Sequence, residues 1–339
     1  MNSQQNKTEK NLKIRQLVDT IGFAQYNRQM DSILARIDLS DKIPAKECYK
    51  AVICPHDDYA YAAVLYNKTL AGIKAETIVL IGVAHKARQF SLENKLIFDS
   101  FDQWKSTSNV EISELRTELI KSLPDDSYLM HDSMMQTEHS LEAILPFLLK
   151  YNRNVKIIPV LVPYTTFENM DRFSDYLSAG LFDLMKKNHL QYGKDIAIVI
   201  SNDAIHYGNE DWGGKDMAPF GTDEEGNNKA LQKDNEIITQ CLIGNVDQEK
   251  IFKFNKFTVQ ESDFREYKWT WCGRYSVPFG LMLSNKLNLK MSKKPLTGKL
   301  IGYRSSLKDK HIDVYDLGMG TTAPAKPTHW VGYVGVGYE

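Results

Sequence analysis

The sequence predicts an α/β fold with a mostly parallel or mixed central sheet and helices on both faces. Short apolar, β-branched runs alternate along the chain with longer segments of helical periodicity. One run, Thr77–Val83 (TIVLIGV), is apolar throughout, which is typical of a strand covered on both faces. No repeat, low-complexity tract or long linker divides the chain. We therefore expect a flexible N-terminal extension over residues 1–14 and one domain over residues 15–339.

The predicted elements follow one another along the chain. Predicted strands cover residues 49–54, 77–83, 155–162, 195–201, 299–305 and 331–338, and predicted helices cover residues 62–75, 140–150, 167–187, 228–242 and 271–287. Residues 207–227 are rich in Gly, Asp and Glu and predict a long loop, which in a compact domain is more often functional than not. The glycines of the last strand, VGYVGVGY, would let another backbone or a ligand come close.

Composition and charge argue against several classes of protein. The net charge is −1, so no bulk field attracts nucleic acid or an anionic membrane. The N-terminus lacks the apolar segment of a secretory signal, and the longest apolar run, at 77–84, is far shorter than the roughly 20 residues of a membrane span. Four cysteines without a CxxC pair do not suggest a disulfide framework, and they favour a reducing, cytoplasmic setting.

Three histidines follow predicted strands, at the sheet edge where parallel α/β folds place their sites. His56, His85 and His206 come shortly after runs that end near residues 54, 83 and 201. One such histidine would usually be a hydrogen-bonded surface residue, but three in the same structural position suggest a common pocket. Two imidazoles and a third, anionic ligand can hold Zn, Fe, Cu or Ni and leave a position open for substrate or oxygen.

The residues alone do not choose the third ligand. The available side chains are those of Asp57, Asp58, Asp203, Glu138, Glu142 and Cys272. Cys272, near the start of a predicted helix, would be either a small buried hydrophobic residue or a thiol whose pKa the helix N-terminus lowers. His139 would either belong to the pocket or cap a helix start.

Six motifs in a fixed order resemble the Memo family, whose prokaryotic members are often named AmmeMemoRadiSam system protein B. They read PHDDYAY at 55–61, GVAH at 82–85, EHSLEAILPFL at 138–148, IIPVLV at 157–162, SNDAIH at 201–206 and CGR at 272–274. The resemblance covers roughly residues 15–339. Each motif alone is weak, but six in order are specific.

The resemblance implies the fold of class III extradiol (LigB-like) dioxygenases, which hold Fe(II) with two His and one Glu. It implies His56 and His85 as metal ligands and places Cys272 where the dioxygenases have their glutamate. It also implies that Asp203 and His206 line the pocket, with His206 as the acid/base residue. Because thiolate is softer than carboxylate and is itself oxidisable, the exchange favours Cu(I), Zn or less labile iron and argues against ring cleavage.

This sequence departs from the family at two motifs. PHAGY becomes PHDDY, which puts Asp57 and Asp58 beside the first histidine, and GPSHH becomes GVAHK, which puts Lys86 after the second. The Asp pair would add an oxygen ligand or an acceptor that orients His56, whereas Lys86 would disfavour a bound cation. The residues expected around the ligands are Asp57, Asp58, Lys86, His139, Glu142 and Arg274.

These features predict a metal-binding protein that holds Fe, Cu or Zn and has a redox role. The alternative is a non-catalytic protein that binds a peptide or small molecule in a vestigial active-site cleft. A third hypothesis is metal-independent thiol chemistry by Cys272 with His206. The resemblance also implies a functional association with AMMECR1-type and radical SAM proteins.

Overall fold

The structure, a computed structural model, describes residues 12–37 and 48–339. Its strands are β1 (Ile14–Arg15), β2 (Ala51–Cys54), β3 (Thr77–Val83), β4 (Leu96–Phe98), β5 (Gln103–Trp104), β6 (Val110–Ile112), β7 (Tyr128–Met130), β8 (Lys156–Val162), β9 (Ile196–Ser201), β10 (His206–Gly208), β11 (Gly244–Asn245), β12 (Thr297–Ser305) and β13 (His329–Tyr338). Its helices are α1 (Asn27–Arg36), α2 (Tyr59–Leu70), α3 (Leu115–Lys121), α4 (Asp132–Thr137), α5 (Leu145–Tyr151), α6 (Phe167–Lys187), α7 (Glu224–Ile237), α8 (Gln248–Thr258) and α9 (Ser276–Ser292).

The strands form a mixed sheet whose centre is parallel. Its main path runs β1-β5-β6-β8-β3-β9-β2-β13-β12-β11. The neighbours β8, β3, β9 and β2 are parallel, whereas β13 lies antiparallel to both β2 and β12. The predicted α/β class with a mixed central sheet is confirmed. The parallel centre brings the carboxyl ends of β2, β3 and β9 to one edge of the sheet.

Helices cover both faces of this sheet, as the apolar run TIVLIGV predicted. Alternate residues of a strand point to opposite faces. In β3, Ile78 and Leu80 pack into one hydrophobic core together with residues of α1, α2 and α5. Val79 and Ile81 pack into a second core with residues of α6, α7, α8 and α9. Both cores hold strand residues with no exposed surface, which fixes the sheet between two helical layers.

One predicted helix begins later than expected, and this changes the surroundings of Cys272. The helix predicted at 271–287 starts at Ser276 in α9. Residues 270–271 instead pair with the segment after β9: the His206 amide donates to the Thr270 carbonyl at 3.1 Å, and Ile205 and Trp271 form an antiparallel bridge. Cys272 therefore lies ahead of the helix and is fixed by this pairing.

The predicted loop at 207–227 also contains regular structure. Its first residues belong to β10, which pairs antiparallel with β13. Its last residues begin α7, where the Asp223 side chain accepts a hydrogen bond from the Gly226 amide as an N-cap. The predicted helix at 140–150 starts with a short 3₁₀ turn, Glu142–Ile144, before α5.

Residues 1–11 of the predicted N-terminal extension lie outside the described residues. Ile14, at the end of that extension, pairs with Gln103 in β5. The single domain over 15–339 stays a prediction. Within the described ranges, no helix has both the length and the apolar character needed to span a bilayer.

Candidate metal centre

A cleft of about 340 Å³ opens at the sheet edge where β2, β3 and β9 end. Eight of the site residues expected from the sequence or from the resemblance lie at this edge. Seven of them line the cleft: His56, Asp57, Asp58, His85, His139, Asp203 and His206. The eighth, Cys272, is buried beside His56. The cleft is also lined by Trp212, Thr322 and His329, which belong to none of the six motifs. The convergence of three strand-following histidines is therefore found in the structure.

Three donor side chains meet at the floor of this cleft. The ligand atoms of His56, His85 and Cys272 all lie within 4.8 Å of one another. His56 Nε2 and Cys272 Sγ are 3.4 Å apart. A tetrahedral ion with bonds of about 2.1 Å to nitrogen and about 2.3 Å to sulfur would hold these atoms about 3.6 Å apart, so the spacing fits a metal site.

A chain of two serines fixes the orientation of His56. Its Nδ1 lies 2.7 Å from the Ser201 hydroxyl, which itself donates to the Ser140 carbonyl at 2.7 Å. Because a hydroxyl has only one hydrogen to donate, Ser201 must accept from the Nδ1–H of His56. The lone pair of His56 is then on Nε2, which faces Cys272. The tautomer is the one that a metal ligand requires.

A carboxylate fixes the orientation of His85. Glu138 accepts from the His85 Nδ1 at 2.8 Å and from the His85 backbone amide at 2.7 Å. An ionised carboxylate only accepts hydrogen bonds, so Nδ1 carries the proton and Nε2 is left free. This is the carboxylate–histidine arrangement that commonly supports bound metals. Charge and a hydrogen bond from His85 outweigh the effect of burial and lower the Glu138 pKa to about 2.

Cys272 is held in place by the backbone of Asp203. The Asp203 amide donates to Cys272 Sγ at 3.1 Å, and the thiol lies 3.4 Å from the Asp203 carbonyl. The Asp203 carboxylate accepts from the His56 amide at 2.9 Å, and its other oxygen is 3.3 Å from His56 Nε2. These three side chains form one buried group with at most 3% of each residue exposed.

Burial acts against charge on every member of this group. It raises the pKa of Cys272 and of Asp203 well above their ordinary values and lowers the pKa of His56 well below its ordinary value. The sequence left two alternatives for Cys272, a buried hydrophobic residue or a thiol whose pKa a helix N-terminus lowers. The structure contradicts the lowered pKa, because Cys272 precedes the helix and is buried. No Lys or Arg among the described residues lines the cleft, whereas five aspartates do: Asp19, Asp57, Asp58, Asp203 and Asp211.

His206 lies on the wall of the cleft, as the resemblance implied. Its Nδ1 is 3.3 Å from the Thr270 carbonyl, so this nitrogen carries a proton and Nε2 is the accepting atom. Its ring meets the Trp212 ring edge-on, with centroids 5.4 Å apart. Burial, with the neighbouring His85, lowers the His206 pKa to about 4, which leaves the imidazole neutral at physiological pH.

The Asp pair that distinguishes this sequence lines the cleft but does not orient His56. Asp58 accepts from the amide of Thr322 at 2.6 Å and from its hydroxyl at 3.0 Å, and so ties the 320s loop to the start of α2. Asp57 accepts from the Tyr333 hydroxyl at 2.6 Å. The orienting role predicted for the pair belongs to Ser201 instead. Burial and the neighbouring Asp57 raise the Asp58 pKa to about 8.

Three predicted neighbours of the ligands lie outside the lining of the cleft. Glu142 forms a buried ion pair with Arg15 at 2.5 Å and accepts from the Asp19 amide at 2.7 Å. Arg274 stacks on Tyr267, with its guanidinium carbon 3.5 Å from the ring centroid. Lys86, the third, precedes a 3₁₀ turn. His139 is in the cleft, with its ring stacked on His85 at 4.7 Å.

Two residues that hold the ligand histidines were not assigned that role from the sequence. Glu138 was considered only as a third ligand, although it directly precedes His139 in the EHSLE motif. Ser201 closes an apolar strand and opens the SNDAIH motif, but nothing in the sequence indicated its contact with His56. His85, Glu138 and His139 also form a second group of donors within 4.8 Å of one another. The first group uses the thiol that the resemblance singled out.

A model of the family described as Memo-like protein matches residues 22–315. The chain belongs to the Memo family. The matched range contains His56, His85 and Cys272 as well as the residues that orient both histidines. The family assignment implied by the six motifs is therefore confirmed.

Several prokaryotic Memo relatives are similar to the chain. A MEMO1 family protein of Aquifex aeolicus is 30% identical over 190 residues, which are 54% of this chain and 62% of the relative. A MEMO1 family protein of Pyrobaculum aerophilum is 25% identical over 164 residues, which are 46% of this chain and 52% of the relative. A MEMO1 family protein of Metallosphaera sedula is 23% identical over 263 residues, which are 75% of this chain and 79% of the relative. The chain thus covers less than two thirds of the first two relatives.

Proposed function

We propose that this Memo-family protein binds a divalent or redox-active metal ion through His56, His85 and Cys272. The convergence of their ligand atoms within 4.8 Å carries the proposal. Both histidines also present an unprotonated Nε2, because Ser201 and Glu138 occupy the opposite ring nitrogens. Imidazole with thiolate is a donor set that suits Fe, Cu or Zn.

The acidic groups of the cleft support this assignment. Aspartates line it without a described Lys or Arg among them, and burial opposes ionisation of Asp203 and Cys272. A bound cation would stabilise both anions, since metal binding requires a deprotonated thiol and releases its proton. When bound, the metal would supply a redox couple or Lewis acidity at the floor of the cleft.

The residues of the chain would position a small molecule and move its protons. His206 Nε2 is the accepting atom on the cleft wall, and Trp212 forms an aromatic face beside it. Histidines at the ends of adjacent parallel strands support a relation to class III extradiol dioxygenases. A thiolate in the place of their glutamate argues against ring cleavage. Cytoplasmic localisation and the association with AMMECR1-type and radical SAM proteins stay predictions.

Metal content of anaerobically purified protein tests the proposal. We expect nearly one Fe, Cu or Zn per chain by elemental analysis and its loss in His56→Ala and Cys272→Ala. Cys241→Ala is the matched control, because Cys241 is another buried thiol that packs in the second hydrophobic core and does not line the cleft. Unchanged stoichiometry in both site variants, or no uptake after reconstitution of the wild-type chain, would contradict metal binding.

The second candidate is a binding protein that uses the cleft without metal. Its support is the aromatic wall: Trp212 stacks on His329 at 3.9 Å, and its buried Nε1 has no hydrogen-bond partner in the described structure. Catechol and tyrosine-containing peptides, titrated into metal-free protein, would test it by NMR. Binding that survives Cys272→Ala and is lost in Trp212→Ala would favour this candidate.

A further inference from the structure

A buried carboxylate outside the cleft holds together the two segments that carry Cys272 and His206. Asp234, on α7, has no exposed surface. Its Oδ1 accepts from the indole nitrogens of Trp269 at 2.9 Å and Trp271 at 2.7 Å. Its Oδ2 accepts from the Tyr303 hydroxyl at 2.7 Å and the Ile205 amide at 3.2 Å.

Two of these four donors stand directly beside functional residues. Trp271 precedes Cys272, and Ile205 precedes His206. The same two donors, Ile205 and Trp271, also form an antiparallel bridge. Asp234 therefore binds both sides of the pairing that sets Cys272 Sγ 3.1 Å from the Asp203 amide.

Among the described residues, no cationic group lies within 4 Å of the Asp234 carboxylate. Its four hydrogen-bond partners are all neutral donors. Burial raises its pKa to about 6, although the hydrogen bonds from the two tryptophans and from Tyr303 oppose this rise. A buried carboxylate that is not in an ion pair is expensive to keep. An apolar side chain here would leave all four donors unpaired, so the carboxylate is what holds the two segments together.

The last strand leaves room for the carboxylate. A Cβ at Gly332 would lie 2.8 Å from the Asp234 carboxylate and 2.5 Å from the Tyr303 hydroxyl. Gly332 also exchanges backbone hydrogen bonds with the 204–205 segment at 2.8 Å. The glycine of β13 thus lets side chains, rather than a ligand, approach the strand closely at this point.

We propose that Asp234 is a positioning residue of the metal centre, which sets the Cys272 sulfur against His56 and His85 by fixing the 203–206 and 270–273 segments to each other. The inference rests on the proposed metal function. It assigns Asp234 no contact with metal or substrate. Its removal should loosen the thiolate ligand while both histidines keep their own supports, Ser201 and Glu138.

Cobalt(II) titration of the full-length, metal-free chain tests the inference. Thiolate ligation is read from the sulfur-to-cobalt charge-transfer band, and affinity from competition with a chelator. In Asp234→Asn the amide nitrogen replaces an oxygen that accepts from two donors, so it must face two of the four donors. Trp271→Phe removes only the donor beside Cys272. For both variants we expect affinity about 10- to 100-fold weaker and a weaker charge-transfer band per bound cobalt.

Asp99→Asn is the matched control for buried-carboxylate loss. Asp99 also has no exposed surface, accepts from the indole nitrogen of Trp104 at 2.8 Å, and has its pKa raised by burial to about 6. Its described hydrogen-bond and ion-pair partners, Trp104 and Arg116, are not ligands. We expect its cobalt affinity and band to match those of the wild-type chain.

A second readout does not depend on metal. Alkylation of Cys272 by iodoacetamide, followed by mass spectrometry with Cys241 as internal reference, should be faster in Asp234→Asn and Trp271→Phe than in the wild-type chain. Wild-type cobalt binding with unchanged affinity and band in both variants would overturn the role of Asp234. If the wild-type chain binds no cobalt, the proposed function fails, and unchanged Cys272 alkylation would then overturn the positioning role separately.

Discussion

The two histidines of the centre are supported in opposite ways. His56 is buried, with 2% of its surface exposed, and a neutral hydroxyl of Ser201 fixes its ring. His85 has 28% of its side chain exposed, and the anionic Glu138 fixes its ring. The inner ligand thus has a neutral partner and the outer ligand a charged one.

This difference follows from the surroundings of each ring. Around His56 the Asp203 carboxylate and the Cys272 thiol already occupy the buried space, and a further anion there would be costly. The His85 side chain is more exposed, and the anionic Glu138 behind it can help to stabilise a bound cation through the ring. The outer support should therefore contribute more to metal affinity than the inner one.

Among the variants that test this difference, Glu138→Gln should lower metal affinity most. The glutamine oxygen can keep the hydrogen bonds from His85 Nδ1 and Ser140, but its NH₂ group then faces the His85 amide. We expect metal affinity to fall about 100-fold and stability to fall by about 1–3 kcal/mol. Chelator competition and urea unfolding would measure the two quantities. Wild-type affinity in this variant would contradict a larger contribution from the charged support of His85.

Ser201→Ala should weaken metal binding less. It removes the acceptor of the His56 Nδ1–H and the donor to the Ser140 carbonyl, but no charge. We expect about a 10-fold loss of affinity, measured by the same competition. Ser178→Ala, at a buried serine of α6, controls for loss of a hydroxyl. A loss larger than that of Glu138→Gln would reverse the proposed order of the two supports.

His139→Phe should have a smaller effect still, and it separates the two donor groups. If the metal lies among His56, His85 and Cys272, the His139 ring only packs against the two ligand histidines, and phenylalanine can replace it. We expect a loss below the roughly 10-fold that an orienting partner causes. Complete loss of metal would instead place it among His85, Glu138 and His139.

Lys86→Ala should change metal affinity least. Lys86 follows His85 in sequence but lies outside the lining of the cleft. Its charge still acts on the cleft: after burial and His85, it contributes to lowering the pKa of His139. Because it acts from outside the lining, we expect its repulsion of a bound cation to be weak. The metal affinities of the variant and the wild-type chain would be compared across 50–500 mM salt, over which the Debye length falls from about 14 Å to about 4 Å. Equal affinities throughout this range would support the prediction. Tighter binding in the variant at low salt would restore the repulsive role.

The sequence predicted the parts of the fold that strong local patterns determine. Continuous apolar runs located β3 and the carboxyl ends of the central strands, and these ends positioned the three histidines. Strands β4 to β7 have only two or three residues each, which is too short to show a hydrophobic pattern. Long-range pairing, rather than local propensity, defines them. The start of α9 was misplaced since tertiary pairing of Trp271 with Ile205 overrides its local sequence.

For the site, strand-end position and family resemblance located the ligands but not their supports. Ser201 opens a family motif and Asp234 lies in an ordinary helical segment, and only the fold shows that they contact His56 and Trp271. The departure at Asp57 and Asp58 suggested a contact with the adjacent His56. Their hydrogen bonds to Tyr333 and the 320s loop depend on segments far along the chain.

A crystal structure of the reconstituted protein, with anomalous scattering recorded at the absorption edge of the bound metal, tests the central claim most directly. We expect one anomalous peak within bonding distance of His56 Nε2, His85 Nε2 and Cys272 Sγ. A peak coordinated by Glu138 and His139 without Cys272, or no peak at the floor of the cleft, would contradict the proposed centre.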